Sequence, residues 1–249
     1  MIDVPRATYD RIGLLYAKHR RPDPRIAAAI CRALGPARSV VNVGAGTGSY
    51  EPLDCRVVAV EPSIVMIRQR PRSAAPVVRA SADALPFARP VFDAALAALT
   101  VHHWRDWKHG LREMRRVARR IVVLTFDVRL QQDFWLVRDY VPAMRMALNR
   151  IPGVDAVADE LGATRVETVV VPHDCLDGFF CAYWRRPDAY LDAEVRACIS
   201  GLTQLAPNDM MPGLARLRSD LATGRWHERN RKLIGLNELD CGYRLVVCE

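Results

Sequence analysis

The sequence predicts a doubly wound α/β fold, and three observations carry that reading. Short apolar, β-branched runs of strand length recur from residue 39 to residue 126, segments with helical spacing lie between and around them, and the first run ends in glycines at alternate positions, VVNVGAGTG. Strand alternating with helix buries the apolar face of each element only if the strands form a mainly parallel sheet with helices on both sides. At 249 residues, half of them apolar, the chain is long enough for one substantial core.

The elements follow in order. Residues 7–18 and 25–34 read as helices: Tyr9, Ile12 and Tyr16 share a helical spacing, and Asp23 beside Pro24 supplies a cap and a first-turn proline. SVVNV is the first strand, CRVVAVEPS the second, APVVRAS the third, FDAALAALTVHHW the fourth and IVVLTFD the fifth. Between the last two, DWKHGLREMRRVARR sets Trp107, Leu111, Met114 and Ala118 at helical spacing while arginines take the other faces. Beyond residue 128, FWLVRDYVPAMRMALN reads as a helix, RVETVVVPHDC as a sixth strand and DCGYRLVVCE as a seventh. The stretch between those two strands is too long for a hairpin loop and contains the helical patterns RPDAYLDAEVRACISGL and PGLARLRSDLATG, so it reads as a helical insertion.

Composition excludes several classes. MIDVPRATYD carries charge and proline where a secretion signal needs an apolar run, and no segment approaches the length of a membrane span, so a soluble, cytoplasmic protein with no membrane partner is expected. The seven cysteines are odd in number, scattered and never spaced C-x-x-C, which predicts reduced thiols and no zinc site. The formal charge of +8 would ordinarily suggest nucleic acid, but only three of the 36 basic residues are lysine (Lys18, Lys108, Lys232), and arginine with alanine is what a GC-rich coding sequence yields without functional demand. A nucleic-acid partner is therefore not expected.

The glycine turn is the most specific motif. A dinucleotide fingerprint starting at Gly44 would need glycine at position 49, which is Ser49, and a phosphate-binding loop would need a lysine followed by Ser or Thr. G-x-G-x-G closing a first strand, with an acidic residue closing the second, is instead the pattern of S-adenosylmethionine sites: glycines admit the methionine part of the cofactor close to the backbone, and Glu61 can accept both ribose hydroxyls. On VVNVGAGTG, VVAVEPSIVMI, ASADALPF and FDAALAALTVHHW, residues 8–126 resemble class I S-adenosylmethionine-dependent methyltransferases, nearest the small-molecule group that includes quinone-biosynthesis C-methyltransferases and trans-aconitate methyltransferases.

The resemblance implies a Rossmann-like, seven-stranded sheet with an antiparallel last strand. The elements divide a single domain over 1–249 into an N-terminal helical cap (1–36), a cofactor-binding core (37–128) and a helical insertion (178–238). The resemblance implies S-adenosyl-L-methionine as cofactor, S-adenosyl-L-homocysteine as product, and a small-molecule acceptor. The donor site it implies comprises Gly44, Ala45, Gly46, Gly48, Glu61, Pro62, Met66 on the adenine, Ser81, Ala82 and Thr100, covered by Tyr16 and Arg20 from YAKHRRPDP, the arginine suiting the methionine carboxylate. The other reading of those two is a core tyrosine and a solvated charge.

Three departures stand out. Only SYEPLDC separates Gly48 from the second strand and Pro52 interrupts it, so at most one helical turn fits where relatives have a helix, and the N-terminal helices are the candidates for its packing role. Ser81 stands where relatives carry an acid, with Asp83 two residues on, so adenine is read by a hydroxyl and the Ala82 backbone. Arg119-Arg120 replaces a glycine pair and shortens the loop after the fourth helix.

Methyl transfer from a sulfonium needs alignment and exclusion of water, and a base only if the acceptor must lose a proton. His103, with His102 as alternate, is the candidate base at the end of the fourth strand; equally, either histidine could bond only loop backbone. VPHDCLDGFFCAYWRRP offers His173, Asp174, Tyr183 and Trp184 for an acceptor pocket, Trp184 being equally suited to a core position. Adjacent His173 and Asp174 point apart on an extended chain, so no metal site is expected. The competing functions are a non-catalytic S-adenosylmethionine-binding protein, favoured by the shortened helix and Ser81, and an RNA methyltransferase, which lacks an N-P-P-Y type loop after the fourth strand to support it.

Overall fold

The computed structural model describes residues 19–88 and 90–249. The helix expected over residues 7–18, and Tyr16 with it, lies outside the described residues. The first described helix, α1 (Pro24–Leu34), starts as its sequence dictates: Asp23 accepts the Arg25 amide on its side chain, proline occupies the first turn, and Gly35, at φ +62°, ends it.

In chain order there follow β1 (Ser39–Val43), β2 (Arg56–Val60), α2 (Ile64–Arg68), β3 (Val77–Val78), β4 (Phe92–Ala98), α3 (Trp107–Val117), β5 (Ala118–Phe126), α4 (Val128–Asp133), α5 (Met144–Leu148), α6 (Val154–Leu161), β6 (Arg165–Thr168) and β7 (Val171–Pro172). Then come α7 (Ala193–Ala197), α8 (Ser200–Thr203), α9 (Pro207–Ala222), α10 (Arg225–Arg229), α11 (Arg231–Ile234), β8 (Glu238–Leu239) and β9 (Tyr243–Cys248). Seven strands form one sheet in the order β3-β2-β1-β4-β5-β9-β6, parallel except for β9, which runs antiparallel to both neighbours. The strand order reverses between β1 and β4, and crevices for ligands open there at the carboxyl ends of the strands.

Each face of the sheet has its own core, as strand alternation requires. Val40, Leu96, Val122 and Leu245 pack under Ile26, Ile30 and Leu34 of α1, together with the helices that follow β7. Val41, Val43, Ala95 and Val123 pack under Leu111 and Met114 of α3 and Val157 and Leu161 of α6. No helix forms between Gly48 and Arg56. Tyr50 fills part of that space, its ring buried in the first core and its backbone at φ +62°, a left-handed conformation uncommon outside glycine.

Three segments differ from the periodic reading. The sixth strand divides: β6 pairs with β9 in the main sheet, whereas β7 pairs with β8 in a separate ribbon. The helix expected from Phe134 breaks at Pro142 into a short π turn over Leu136–Tyr140 and α5, because proline cannot donate to the preceding turn. Helix α6 was not among the expected elements, although Gly153 precedes it and Gly162 closes it in the left-handed conformation. At the other loop in question, α3 passes directly into β5 with Arg119 and Arg120 already in the strand.

Candidate active site

The β1–β2 turn is built from backbone. Gly44, Gly46 and Gly48 all have positive φ, and the amides of Gly44 and Ala45 both donate to the Val60 carbonyl at 2.8 and 3.0 Å. A Cβ at position 44 would sit 2.2 Å from Thr100 Oγ1, and one at 46 would sit 3.2 Å from Met66 Cε. The buried Glu61 carboxylate accepts the Gly46 amide on one oxygen and the Ser63 amide on the other, each at 2.8 Å. The turn after α2 closes the cradle: Arg70 donates to the Gly46 carbonyl and, at 2.6 Å, to Glu51, whose other oxygen accepts the Ala75 amide. This buried ion pair ties together the ends of a connection that has no helix to stiffen it.

The loop after β3 is clamped from α3. Glu113 accepts the Leu85 amide, and Arg116, bidentate on Glu113, also donates to the Leu85 and Phe87 carbonyls. The Arg116 hydrogen bond holds Glu113 below the usual carboxylate range. Ser81 donates its hydroxyl proton to Asp83, and Ala82 is buried against α3, where Gly110 leaves room.

At the end of β4 the backbone turns through Leu99, at φ +53°, and enters a 3₁₀ turn over Val101–His103. That reversal points Thr100 at the glycine turn, fixed by a bond from Trp104 Nε1, and sends Leu99, His102 and His103 to the other side. There they wall a cavity of about 420 Å³, with Phe126 and Tyr243 from the sheet, Phe179 and Phe180 from the segment after β7, and residues of α5, α8 and the start of α9. The histidine rings lie 3.9 Å apart, centroid to centroid, and His102 meets Phe126 edge-on at 5.2 Å. Burial, then the Arg20 charge, pushes His103 down to about 4, and burial with the neighbouring His103 and Arg20 holds His102 well below the ordinary histidine range. Both imidazoles are neutral at physiological pH.

Arg20 also lines the cavity, and its guanidinium is engaged by the fully buried Asp177 at 2.6 Å. The same carboxylate accepts the Tyr50 hydroxyl at 2.8 Å and the Gly178 amide at 2.7 Å. One acidic side chain thus joins the segment preceding α1, the end of the glycine turn and the segment after β7.

A family model described as "Methyltransferase domain" matches residues 41–125. A solved structure from Anabaena variabilis ATCC 29413, assigned as a methyltransferase of an antibiotic biosynthesis pathway, is 35% identical, with a TM-score of 0.84 over 92% of this chain and 98% of that one. The chain belongs to the class I S-adenosylmethionine-dependent methyltransferases. The [4+2]-cyclase SpnF shares the fold at 16% identity, with a TM-score of 0.53 over 96% of this chain and 93% of that one. A comparison with curated proteins returns no match.

Within this methyltransferase, the expected donor residues Gly44, Ala45, Gly46, Gly48, Glu61, Pro62, Met66 and Thr100 lie around one turn, with Ser81 and Ala82 on the α3-clamped loop. His102 and His103 lie in the cavity wall. The expected acceptor residues do not. His173 bonds the Asn237 carbonyl through Nδ1, Asp174 is exposed and paired with Arg25, and Tyr183 lies under the Arg186 guanidinium. Trp184 is fully buried, donating to the Val171 carbonyl while its own carbonyl accepts from Trp135. From Asp177 onward the segment is buried, and Phe179 and Phe180 reach the cavity in their place. The aromatic pair in LDGFFCAY was the available signal. Gln131 and Tyr243, which also line the cavity, stand in no motif. No helix among the described residues is long and apolar enough to cross a membrane, and burial pushes the Cys175 thiol up to about 12, which makes it a poor nucleophile.

Proposed function

We propose that this enzyme transfers the methyl group of S-adenosyl-L-methionine to a small, largely apolar acceptor held in the 420 Å³ cavity, with S-adenosyl-L-homocysteine as product. The cavity is the observation that carries the reading: its volume lies in the range of small-molecule sites, and the stretch from Leu99 to His103 borders both it and the glycine turn. The relative of antibiotic biosynthesis is consistent with an acceptor of that size.

The residues fit the cofactor the family implies. At Gly44 any side chain would fill the cradle, and Glu61, fixed by the Gly46 and Ser63 amides, is a charged acceptor of the kind a ribose diol needs. Ser81 spends its proton on Asp83, which leaves the hydroxyl oxygen to accept from an exocyclic amine. When bound, the sulfonium supplies an already activated methyl group. The protein's own task is alignment and exclusion of water. His103, held near 4, accepts a hydrogen bond at neutral pH but is a weak base, so it orients an acceptor hydroxyl more effectively than it deprotonates one.

Glu61→Ala tests the donor half. Loss of a charged acceptor should weaken S-adenosylhomocysteine binding, measured calorimetrically, by about 2–3 kcal/mol, and unchanged affinity would sink the assignment. Mass spectrometry of the purified protein incubated with S-adenosylmethionine and a cell metabolite extract tests the acceptor half: a new product heavier by CH₂, a methyl group in place of a hydrogen, supports the reading, and none of low molecular mass overturns it.

A further inference from the structure

The cavity wall contains two buried polar atoms with no hydrogen-bond partner, Gln131 Nε2 and His102 Nδ1. Gln131 is only 1% exposed, yet it lies on α4, at the cavity, among apolar neighbours such as Phe126 and Phe134. Leaving a buried amide unpaired costs about 1–3 kcal/mol, a burden that a structural glutamine would avoid by finding a partner. The buried part of the cavity is uncharged or balanced, and the other charges of its lining, Arg150 and Asp209, are exposed. The imidazoles are neutral, Arg20 is matched by Asp177, and Leu99, Phe126, Phe179, Phe180 and Tyr243 present apolar and aromatic surface.

We propose that Gln131 is an acceptor-binding residue, whose amide reads one neutral oxygen, a hydroxyl or a carbonyl, on an otherwise apolar, ring-containing acceptor. This rests on the cavity being the acceptor site, as argued above. The terminal amide torsion is soft, so a modest rotation presents the NH₂ group to a ligand. A carboxylate or phosphate held at the buried wall beside Gln131 would face no unbalanced cation, Arg150 being exposed, and is disfavoured. A hydroxyl suits the wall best, because it can accept from Gln131 and donate to a neutral imidazole.

Two measurements test this. Gln131→Leu removes an unsatisfied buried amide at similar volume, so the melting temperature should rise, by about 2–4 °C for each kcal/mol relieved. A fall would mean that the amide is satisfied structurally, and would overturn the proposal. Second, 2-naphthol, 2-methylnaphthalene and 2-naphthoate are titrated into protein saturated with S-adenosylhomocysteine. Wild type should prefer 2-naphthol over 2-methylnaphthalene by about tenfold, the worth of one hydrogen bond, and should bind 2-naphthoate more weakly than 2-naphthol. In Gln131→Leu the tenfold preference should collapse to within about twofold. A variant that keeps the preference, a wild type that favours the carboxylate, or a wild type that does not bind 2-naphthol overturns the inference. S-adenosylhomocysteine binding separates this from the broader reading: if the cofactor binds and the naphthol contrast is missing, only the role of Gln131 fails.

Discussion

The glycine turn and the cavity lie on opposite sides of the same short stretch, Leu99 to His103, and are constructed in contrary ways. The turn is made of backbone in left-handed conformations, with its polar groups taken up: amides on Val60 and Glu61, a carbonyl on Arg70. The cavity is made of side chains drawn from distant parts of the chain, with Gln131 and His102 each carrying an unpaired buried atom. A site for a constant ligand can be fixed by main-chain geometry, whereas a site for a variable one is carried by exchangeable side chains, at a cost in stability.

The contrast can be broken from either side. Gly44→Ala attacks the backbone side and should have the largest effect, about 5 kcal/mol in chemical denaturation, since left-handed strain and overpacking against Thr100 add. If the melt barely moves, the turn is not rigid in the way described. Asp177→Ala attacks the point where the two sides join. It leaves the Arg20 guanidinium buried without its carboxylate, for a loss of about 3–5 kcal/mol, with cofactor and acceptor binding both impaired.

The cavity side alone should respond to pH. His103 has a folded value of about 4 against 6.5 unfolded, so between those values the unfolded chain binds more protons. The His103 share of stability is therefore full above 6.5 and is lost as pH falls toward 4, about 3 kcal/mol of it, with buried His102 acting in the same direction. Urea denaturation at pH 7.5, 6 and 5 should show this slope and a shallower one in His103→Asn; equal slopes would mean that His103 is solvated. The smallest effect belongs to Tyr50→Phe. Loss of one hydroxyl bond to Asp177 should cost about 1.5 kcal/mol in thermal denaturation while leaving acceptor probes unaffected.

The same contrast explains what could be read in the chain. Gly44, Glu61 and the absent helix before the second strand are legible because backbone sites depend on local spacing, and β1, β2, β4 and β5 follow from short, mostly apolar runs. The division of the sixth strand depends on which distant strand each half meets, β9 or β8, and that is not written in RVETVVVP itself. Helix α6 went unread although its glycine boundaries were visible, because its eight residues hold few large apolar side chains. Of VPHDCLDGFFCAYWRRP, the cavity is lined by Phe179 and Phe180 and not by the polar His173 and Asp174, a choice that depends on the packing of the whole segment. Gln131 had no local signal: its meaning comes from lacking a partner in three dimensions.

Because β6 hydrogen-bonds to β9 and to no other strand of the sheet, it has no place to dock until residues 243–248 have been made. Roughly 75 residues separate the two strands, about 4–15 s of translation at ordinary rates. Throughout that interval a growing polypeptide exposes the free edge of β5 and an unpaired β6, the kind of surface that invites strand addition by neighbours on a polysome. The bonds around Gly44, Gly46 and Glu61, by contrast, lie within the first 104 residues and the clamp on the loop after β3 within the first 116, only Tyr50 waiting for Asp177. A nascent chain therefore acquires the means to hold a nucleoside well before Tyr243 arrives to close the cavity, and early occupancy of that half would draw the partly made sheet toward its native order.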